Sequence, residues 1–285
     1  MIVAQLSDLH IRPPGAPLAF GRIDTTAMAR RAFDRVLRLD PRPDALIITG
    51  DLADCGRIEE YEILRDWIAA LPFPAHLVLG NHDIRASFRS VFGGDQQLPF
   101  VQFAADYHDL RILGLDTLSE GEGEGVLCRR RLDWLRLRLA ERPDVPTILA
   151  LHHAPFEIGN ALYDAVRLKV GADELKSIAT ANAQIIRILA GHHHRGMDCL
   201  WGGTLVSIAP AVVNALDFEL GPAAAMRAIA EPAAFRLHVR HGAAEWVSHH
   251  LYVEQFGAPF EALPDPDYPA MTSYVRDIAS AAARR

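Results

Sequence analysis

Five short apolar runs in this chain each stop abruptly at residues of the kind that hold metal ions. IVAQL precedes Asp8 and His10, ALIIT precedes Asp51, AHLVL precedes Asn81, His82 and Asp83, TILAL precedes His152 and His153, and IIRILA precedes His192, His193 and His194. Runs of this length read as buried strands. In an open α/β sheet, ligands bind in the crevice outside the carboxyl ends of the strands. One cluster built from five separate segments accounts for all of these residues, so the fold has to bring five strand ends together.

The segments between the runs supply helices. Residues 25–40 place Met28, Ala32, Phe33, Val36 and Leu37 at helical spacing, with Asp24 or Thr25 as cap and Pro41 and Pro43 as the stop. Further helices are expected at 58–70, 85–92, 129–140 and 171–180, that at 129–140 with Leu132, Leu135 and Leu139 on one face and its arginines on a solvated one. The opening β-α-β-α-β series implies parallel strands joined by crossover helices. Strands are expected at 101–103, 111–115, 147–151 and 185–190, and those at 204–208, 235–240 and 245–252 suggest a second sheet built as a meander. The acidic, Gly-rich stretch 119–125 reads as a solvated connector.

At 285 residues the chain is near the upper limit for one hydrophobic core, which suits a single large α/β domain with a small appendage. A net charge of -7 argues against affinity for long nucleic acids, which rests on clustered Lys and Arg. Three cysteines without a CxxC pair indicate neither a disulfide framework nor a zinc-thiolate site, and fit a reduced, cytoplasmic setting. No run approaches the ~18 apolar residues of a membrane span, and no signal-peptide pattern opens the chain.

A lone histidine among 13 is usually structural, but His10, His152, His192 and His194, with Asp8, Asp51 and Asn81, all fall at strand ends. Imidazole and carboxylate without thiolate suit Fe, Mn, Zn or Co. These donors are too many for one ion, and two divalent ions sharing a carboxylate use them all. Such a pair suits in-line attack at phosphorus. A crude charge count for two ions, two aspartates and a hydroxide leaves about +1, which matches a phosphodiester monoanion better than a dianionic monoester. His82 is the candidate general acid, paired with Asp83, unless the two merely brace their loop. His153 and His193 lie beside ligands and read as pocket or supporting residues. The remaining histidines, His238 among them, read as strand or surface residues, and Ser7 and Cys55 lack the neighbours that would make them nucleophiles.

As a set, the D-x-H at 8–10, GD at 50–51, GNHD at 80–83, HH at 152–153 and GH-x-H at 191–194 resemble the calcineurin-like metallophosphoesterase superfamily over residues 1–215. The SDLH start, FGRID, GDLADCGRIEEY, HHAPFEIGNALYD and GHHHR resemble, more narrowly, the bacterial class III cyclic-nucleotide phosphodiesterases and their glycerophosphodiesterases. The resemblance implies a four-layer α/β/β/α sandwich with two mixed sheets, a domain over 1–255, and a C-terminal tail, 256–285, that caps the site or pairs subunits in a dimer or larger homo-oligomer. It implies hydrolysis of small phosphodiesters by metal-bound hydroxide. Asp8, His10 and His194 would hold one metal, Asn81, His152 and His192 the other, with Asp51 bridging and His82 catalytic. Phe20, Arg22, Asn160, Tyr163 and His193 are the expected pocket residues. Glycerophosphodiesters lead as substrates, followed by 3',5'-cyclic nucleotides, a phosphomonoesterase, and a metal-binding regulator without turnover. HHAP, His193 and Asn214 depart from the family pattern around the substrate mouth.

Overall fold

The first apolar run becomes β1 (Ile2–Leu6) in the computed structural model, which describes residues 1–94, 98–222, 225–242 and 245–259. Helix α1 (Thr25–Leu37) starts where the Asp24 carboxylate accepts the Ala27 N–H at 2.9 Å, and it buries Ala29, Ala32, Phe33 and Val36. Strand β2 (Ala45–Thr49) is buried along its whole length. Helix α2 (Ile58–Ala69) begins where the Glu60 carboxylate reaches back to the N–H groups of Arg57 and Cys55. Then come β3 (Ala75–Val78) and α3 (Arg85–Phe92). β1, β2 and β3 pair in parallel, as the alternation of strands and helices implied.

The chain continues through β4 (Phe103–Asp106), β5 (Arg111–Gly114), β6 (Gly125–Val126), α4 (Arg129–Glu141) and β7 (Thr147–Ala150). α5 (Ala161–Ala165), β8 (Leu168–Val170), α6 (Ala172–Ala181), β9 (Ile185–Ala190), β10 (Met197–Trp201) and β11 (Thr204–Ile208) follow. Six of these strands form one sheet in the order β10-β11-β9-β7-β5-β4, while β6 pairs with β8. After a small pair, β12 (Ala215–Leu216) with β13 (Ala228–Ile229), come β14 (Ala234–His241) and β15 (Glu245–Tyr252).

The last strands correct one expectation. β11, β14 and β15 do not build a meander of their own: β11 lies parallel beside β9, whereas β14 and β15 extend the first sheet antiparallel to β1, giving β15-β14-β1-β2-β3. Alternation marks a strand but carries no information about which edge it will join. Helix α4 brings a second correction, because Arg131 points inward, donates to the carbonyls of Leu118 and Val126, and lies 4.1 Å from the centre of the Phe100 ring.

Strand alternation sorts the side chains into layers. Ala4, Leu6, Leu46 and Ile48 pack with α1 and α2 residues such as Phe33 and Leu64. On the other sheet, Leu149, Ile188 and Val206 pack with Leu132, Leu135 and Leu175 of α4 and α6. Val3 and Ile47 of the first sheet meet Ile112, Ile148, Ala150 and Leu189 of the second between the two. The order is helix, sheet, sheet, helix. Gln5 and Thr49, two positions beyond Val3 and Ile47, bring polar side chains to that same inter-sheet face.

His238 of β14 is fully buried there, and burial pushes its pKa from the usual 6.5 down to about 3. Across that range the unfolded chain takes up a proton that the folded chain refuses. The stability carried by the neutral ring is therefore complete above 6.5 and is lost as pH falls toward 3. Urea unfolding at stepped pH should show a decline below pH 6 that is shallower in His238→Gln, by up to about 1.4 kcal/mol per pH unit.

Met1–Glu254 form one compact unit. The expectation of a cap or subunit contact at 256–285 falls, beyond residue 259, outside the described residues. Among the described residues no helix is long and apolar enough to cross a membrane.

Candidate metal centre

The C-terminal ends of β1, β2, β3, β7 and β9 meet, and their loops deliver donor atoms to one place. His10 Nε2 lies 3.2 Å from His194 Nε2, with Asp51 Oδ2 3.6 Å from the first and Asp8 Oδ1 3.6 Å from the second. Beside this group, His152 Nε2 lies 3.1 Å from His192 Nδ1, 3.2 Å from Asn81 Oδ1 and 3.4 Å from Asp51 Oδ1. Asp51 faces both groups, one carboxylate oxygen to each. The structure thus brings together all seven residues read from the strand ends.

The backbone is strained where it does so. Asp8, His10, Asp51, His192 and His194 all have left-handed φ, from 45° to 73°, and Phe20 is the other non-glycine residue in that region among the described residues. Such conformations cost about 1–2 kcal/mol each and persist where surrounding structure imposes them. Gly80 is required by close approach: a Cβ there would stand 2.2 Å from Asp51 Oδ1.

Proton positions follow from the partners. His10 Nδ1 faces the Asp54 carboxylate at 3.1 Å and His194 Nδ1 faces the Asn214 carbonyl at 2.8 Å, both pure acceptors, so each Nδ1 carries the hydrogen. Burial lowers both imidazoles, His194 to about 4, and they are neutral at pH 7. Their Nε2 atoms therefore point lone pair to lone pair across 3.2 Å, between two carboxylates. A cation held between them satisfies that arrangement.

In the other half, burial alone would raise Asp51, but His152, His82 and His10 around it hold it well below the usual carboxylate range. Burial alone would lower His152, yet Asp51, Asp8 and the Thr49 carbonyl raise it to about 9. A proton on His152 is the positive charge the chain itself can place among these acceptors.

Two site expectations meet a different geometry. Asp83 does not pair with His82: its carboxylate accepts from the N–H groups of Leu52, Ala53 and Gly80 and from the Tyr61 hydroxyl, so it clamps two loops together. His82 instead places Nδ1 on the carbonyl of Asp54 at 2.8 Å. Burial alone would lower this imidazole, but Asp51 and Asp54 raise it. Asn160 is consumed as the cap of α5, accepting from Leu162 and Tyr163 and donating to the Glu219 carbonyl. The remaining pocket residues divide. Tyr163 lies edge-on to His193 at 6.4 Å between ring centres, while Phe20 and Arg22 wall a groove of about 660 Å³ with Leu216 and Met226–Ala230.

Asp54 escaped the reading of the sequence. Its carboxylate holds His10 Nδ1 and the Arg12 guanidinium, its carbonyl holds His82, and despite partial burial the contacts with His10 and Arg12 lower it to about 2. The D-x-x-D spacing from Asp51 was the available signal. His153 is buried, bonded to Thr117 Oγ1 at 2.8 Å, and close enough to His152 and His192 to share a cation with them.

Comparison with known proteins agrees with this geometry. The profile of the family described as calcineurin-like phosphoesterase matches residues 1–196. A probable glycerophosphodiester phosphodiesterase, GpdQ, of Arcobacter nitrofigilis is 29% identical over 263 residues, 91% of this chain and 96% of the relative. A probable cyclic nucleotide phosphodiesterase of Rhodopseudomonas palustris is 34% identical over 75% of this chain and 79% of its own. Among solved structures, a dimetal phosphatase from Danio rerio superposes with a TM-score of 0.62 at 15% identity, covering 87% of this chain and 98% of that one, a likeness of fold. On the strength of the matched profile and of relatives that align with most of its length, the chain belongs to the calcineurin-like phosphoesterase family.

Proposed function

We propose that this protein is a metal-dependent phosphodiesterase that hydrolyses small phosphodiesters of the glycerophosphodiester type. The observation that carries the reading is the pair of neutral imidazoles, His10 and His194, facing each other at 3.2 Å between Asp8 and Asp51. Asp8, His10 and His194 would hold one divalent ion and Asn81, His152 and His192 the other, with Asp51 shared. Fe, Mn, Zn and Co all suit this donor set. Bound there, two such ions would supply hydroxide near neutral pH and neutralise charge on the phosphoryl oxygens.

The chain's own groups do the rest. Asp54 and the Asn214 carbonyl keep His10 and His194 in the tautomer that leaves Nε2 bare, and the Thr49 carbonyl holds His152 by Nδ1, so that Nε2 is the atom that would take an ion in exchange for its proton. His82 is anchored through Nδ1 to the Asp54 carbonyl, which leaves Nε2 for the departing alcohol oxygen, and the nearby Asp51 and Asp54 favour its protonated form. To that alcohol we assign the groove that Phe20 and Arg22 wall, which has an apolar side and a cation.

Glycerophosphodiesters lead because the GpdQ of Arcobacter nitrofigilis aligns over most of both chains. Cyclic nucleotides are the second reading, supported by the relatives that carry that name and by Phe20, whose 73% exposed ring offers a base a stacking surface. A reduced setting fits the three unpaired cysteines, and exposed Phe218, Leu220 and Met226 are apolar surface of the kind that a homo-oligomer covers.

The test compares kcat/KM for glycerophosphoethanolamine, 3',5'-cyclic AMP and glycerol 3-phosphate. The expected order puts the glycerophosphodiester first and the monoester last, separated by about tenfold or more. Preference for the monoester would overturn the reading.

A further inference from the structure

Gln5 is fully buried between the sheets and has no part in the chemistry described so far, yet it touches the strands that carry both halves of the centre. Its amide Nε2 donates to Thr49 Oγ1 at 3.0 Å and to the Ala190 carbonyl at 2.9 Å. Thr49 ends β2 two residues before Asp51, and Ala190 ends β9 two residues before His192. One side chain thus ties together the points at which two ligand loops leave separate sheets.

The amide and imidazole hydrogens of this network have a determined direction. Because Gln5 Nε2 is spent on two acceptors, Gln5 Oε1 must accept, so His238 donates to it from Nε2 at 3.0 Å. His238 Nδ1 is then bare and accepts the Ser248 hydroxyl at 2.7 Å. Thr49 Oγ1, holding the Gln5 proton, donates to Ser7 Oγ at 2.9 Å, and Ser7 donates to the Thr49 carbonyl at 3.2 Å. That carbonyl also accepts His152 Nδ1–H at 2.7 Å. A chain of hydrogen bonds therefore runs from the edge strand β15 through His238, Gln5, Thr49 and Ser7, all with no exposed surface, and ends on the Thr49 carbonyl, which also accepts from His152.

We propose that Gln5 is a positioning residue for the His152/His192 half of the centre. It holds the Thr49 carbonyl that orients His152 and the Ala190 carbonyl from which the 191–194 loop departs. The two imidazoles of the His10/His194 half take their orientation from Asp54 and Asn214 and not from this chain of bonds. The proposal rests on the two-ion reading above.

A merely structural role would show itself in stability alone, so the test separates the two. In Gln5→Leu with His238→Leu, donor and partner are removed together. Ala190 keeps the Ala209 N–H as a donor, and Ser248, only partly buried, can turn to water. Replacing both members of a buried pair by apolar groups of similar size is close to neutral for folding. Thr49→Val breaks the same chain with a near-isostere and serves if the double variant does not fold.

Chelator-stripped wild type and variants would be titrated calorimetrically with Mn²⁺, alongside thermal melts of the stripped proteins. The expected result is two binding steps in wild type, of which one weakens by about 10- to 100-fold in the variants while the other and the melting temperature stay close to wild type. Two unchanged steps in the variants, or two steps weakened equally, would overturn the proposal and leave the metal centre standing. Fewer than two ions on wild type would overturn both.

Discussion

Asp51→Asn is expected to lower phosphodiester turnover by about 10³-fold or more, equivalent to roughly 4 kcal/mol of transition-state stabilisation. The carboxylate is the one group whose two oxygens face the two halves of the centre, at 3.4 Å from His152 Nε2 and 3.6 Å from His10 Nε2. An amide fills the same volume and still accepts the His82 N–H now held by Oδ1 at 3.0 Å, so the loop keeps its backbone anchor. What it removes is the negative charge shared between the ions. Turnover of an aryl phosphodiester under saturating Mn²⁺ measures the loss, and metal content should fall from two ions toward one. Activity within tenfold of wild type, with two ions still bound, would show that Asp51 does not bridge.

The second large effect concerns His82. His82→Ala should reduce kcat for a glycerophosphodiester by about 10²- to 10⁴-fold, the usual range for loss of a positioned general acid. The same change should cost far less with a nitrophenyl diester, because nitrophenolate departs without being protonated. Its ring reaches the site through one anchored nitrogen on the Asp54 carbonyl, so metal affinity should be nearly unchanged. Equal losses on both substrates would argue that His82 stabilises charge on the phosphoryl group instead of protonating the leaving oxygen.

The centre was legible in the sequence because ligand chemistry restricts residue type and strand ends restrict position. His10, His152, His192 and His194 are conspicuous when each follows an apolar run. Their orienting partners were harder to see. The carbonyls of Thr49 and Asn214 have no residue-type signature, since any backbone supplies one, and Asp54 became visible only when the loop after β2 folded its carboxylate onto His10. Asp83 and Asn160 were misread because short polar side chains suit backbone capping as well as chemistry. Asn160 immediately precedes ALYDA, a position where capping was the better inference.

At the level of the fold, the parallel core followed from strands alternating with helices. The antiparallel addition of β14 and β15 to β1 did not, because pairing partners distant in sequence leave no local trace. The same gap hid the Gln5–His238 contact, which spans that pairing and joins residues from opposite ends of the chain.

The most direct test of a two-ion phosphodiesterase is reconstitution. Protein stripped with chelator would be reloaded separately with Mn, Co, Zn or Fe, its bound metal counted, and an aryl phosphodiester assayed beside the matching monoester. The expected result is no turnover when stripped, two ions bound on reloading, and diester cleavage restored in preference to monoester cleavage. Two ions bound with neither ester cleaved would contradict the enzymatic reading and leave a metal-binding protein without this activity.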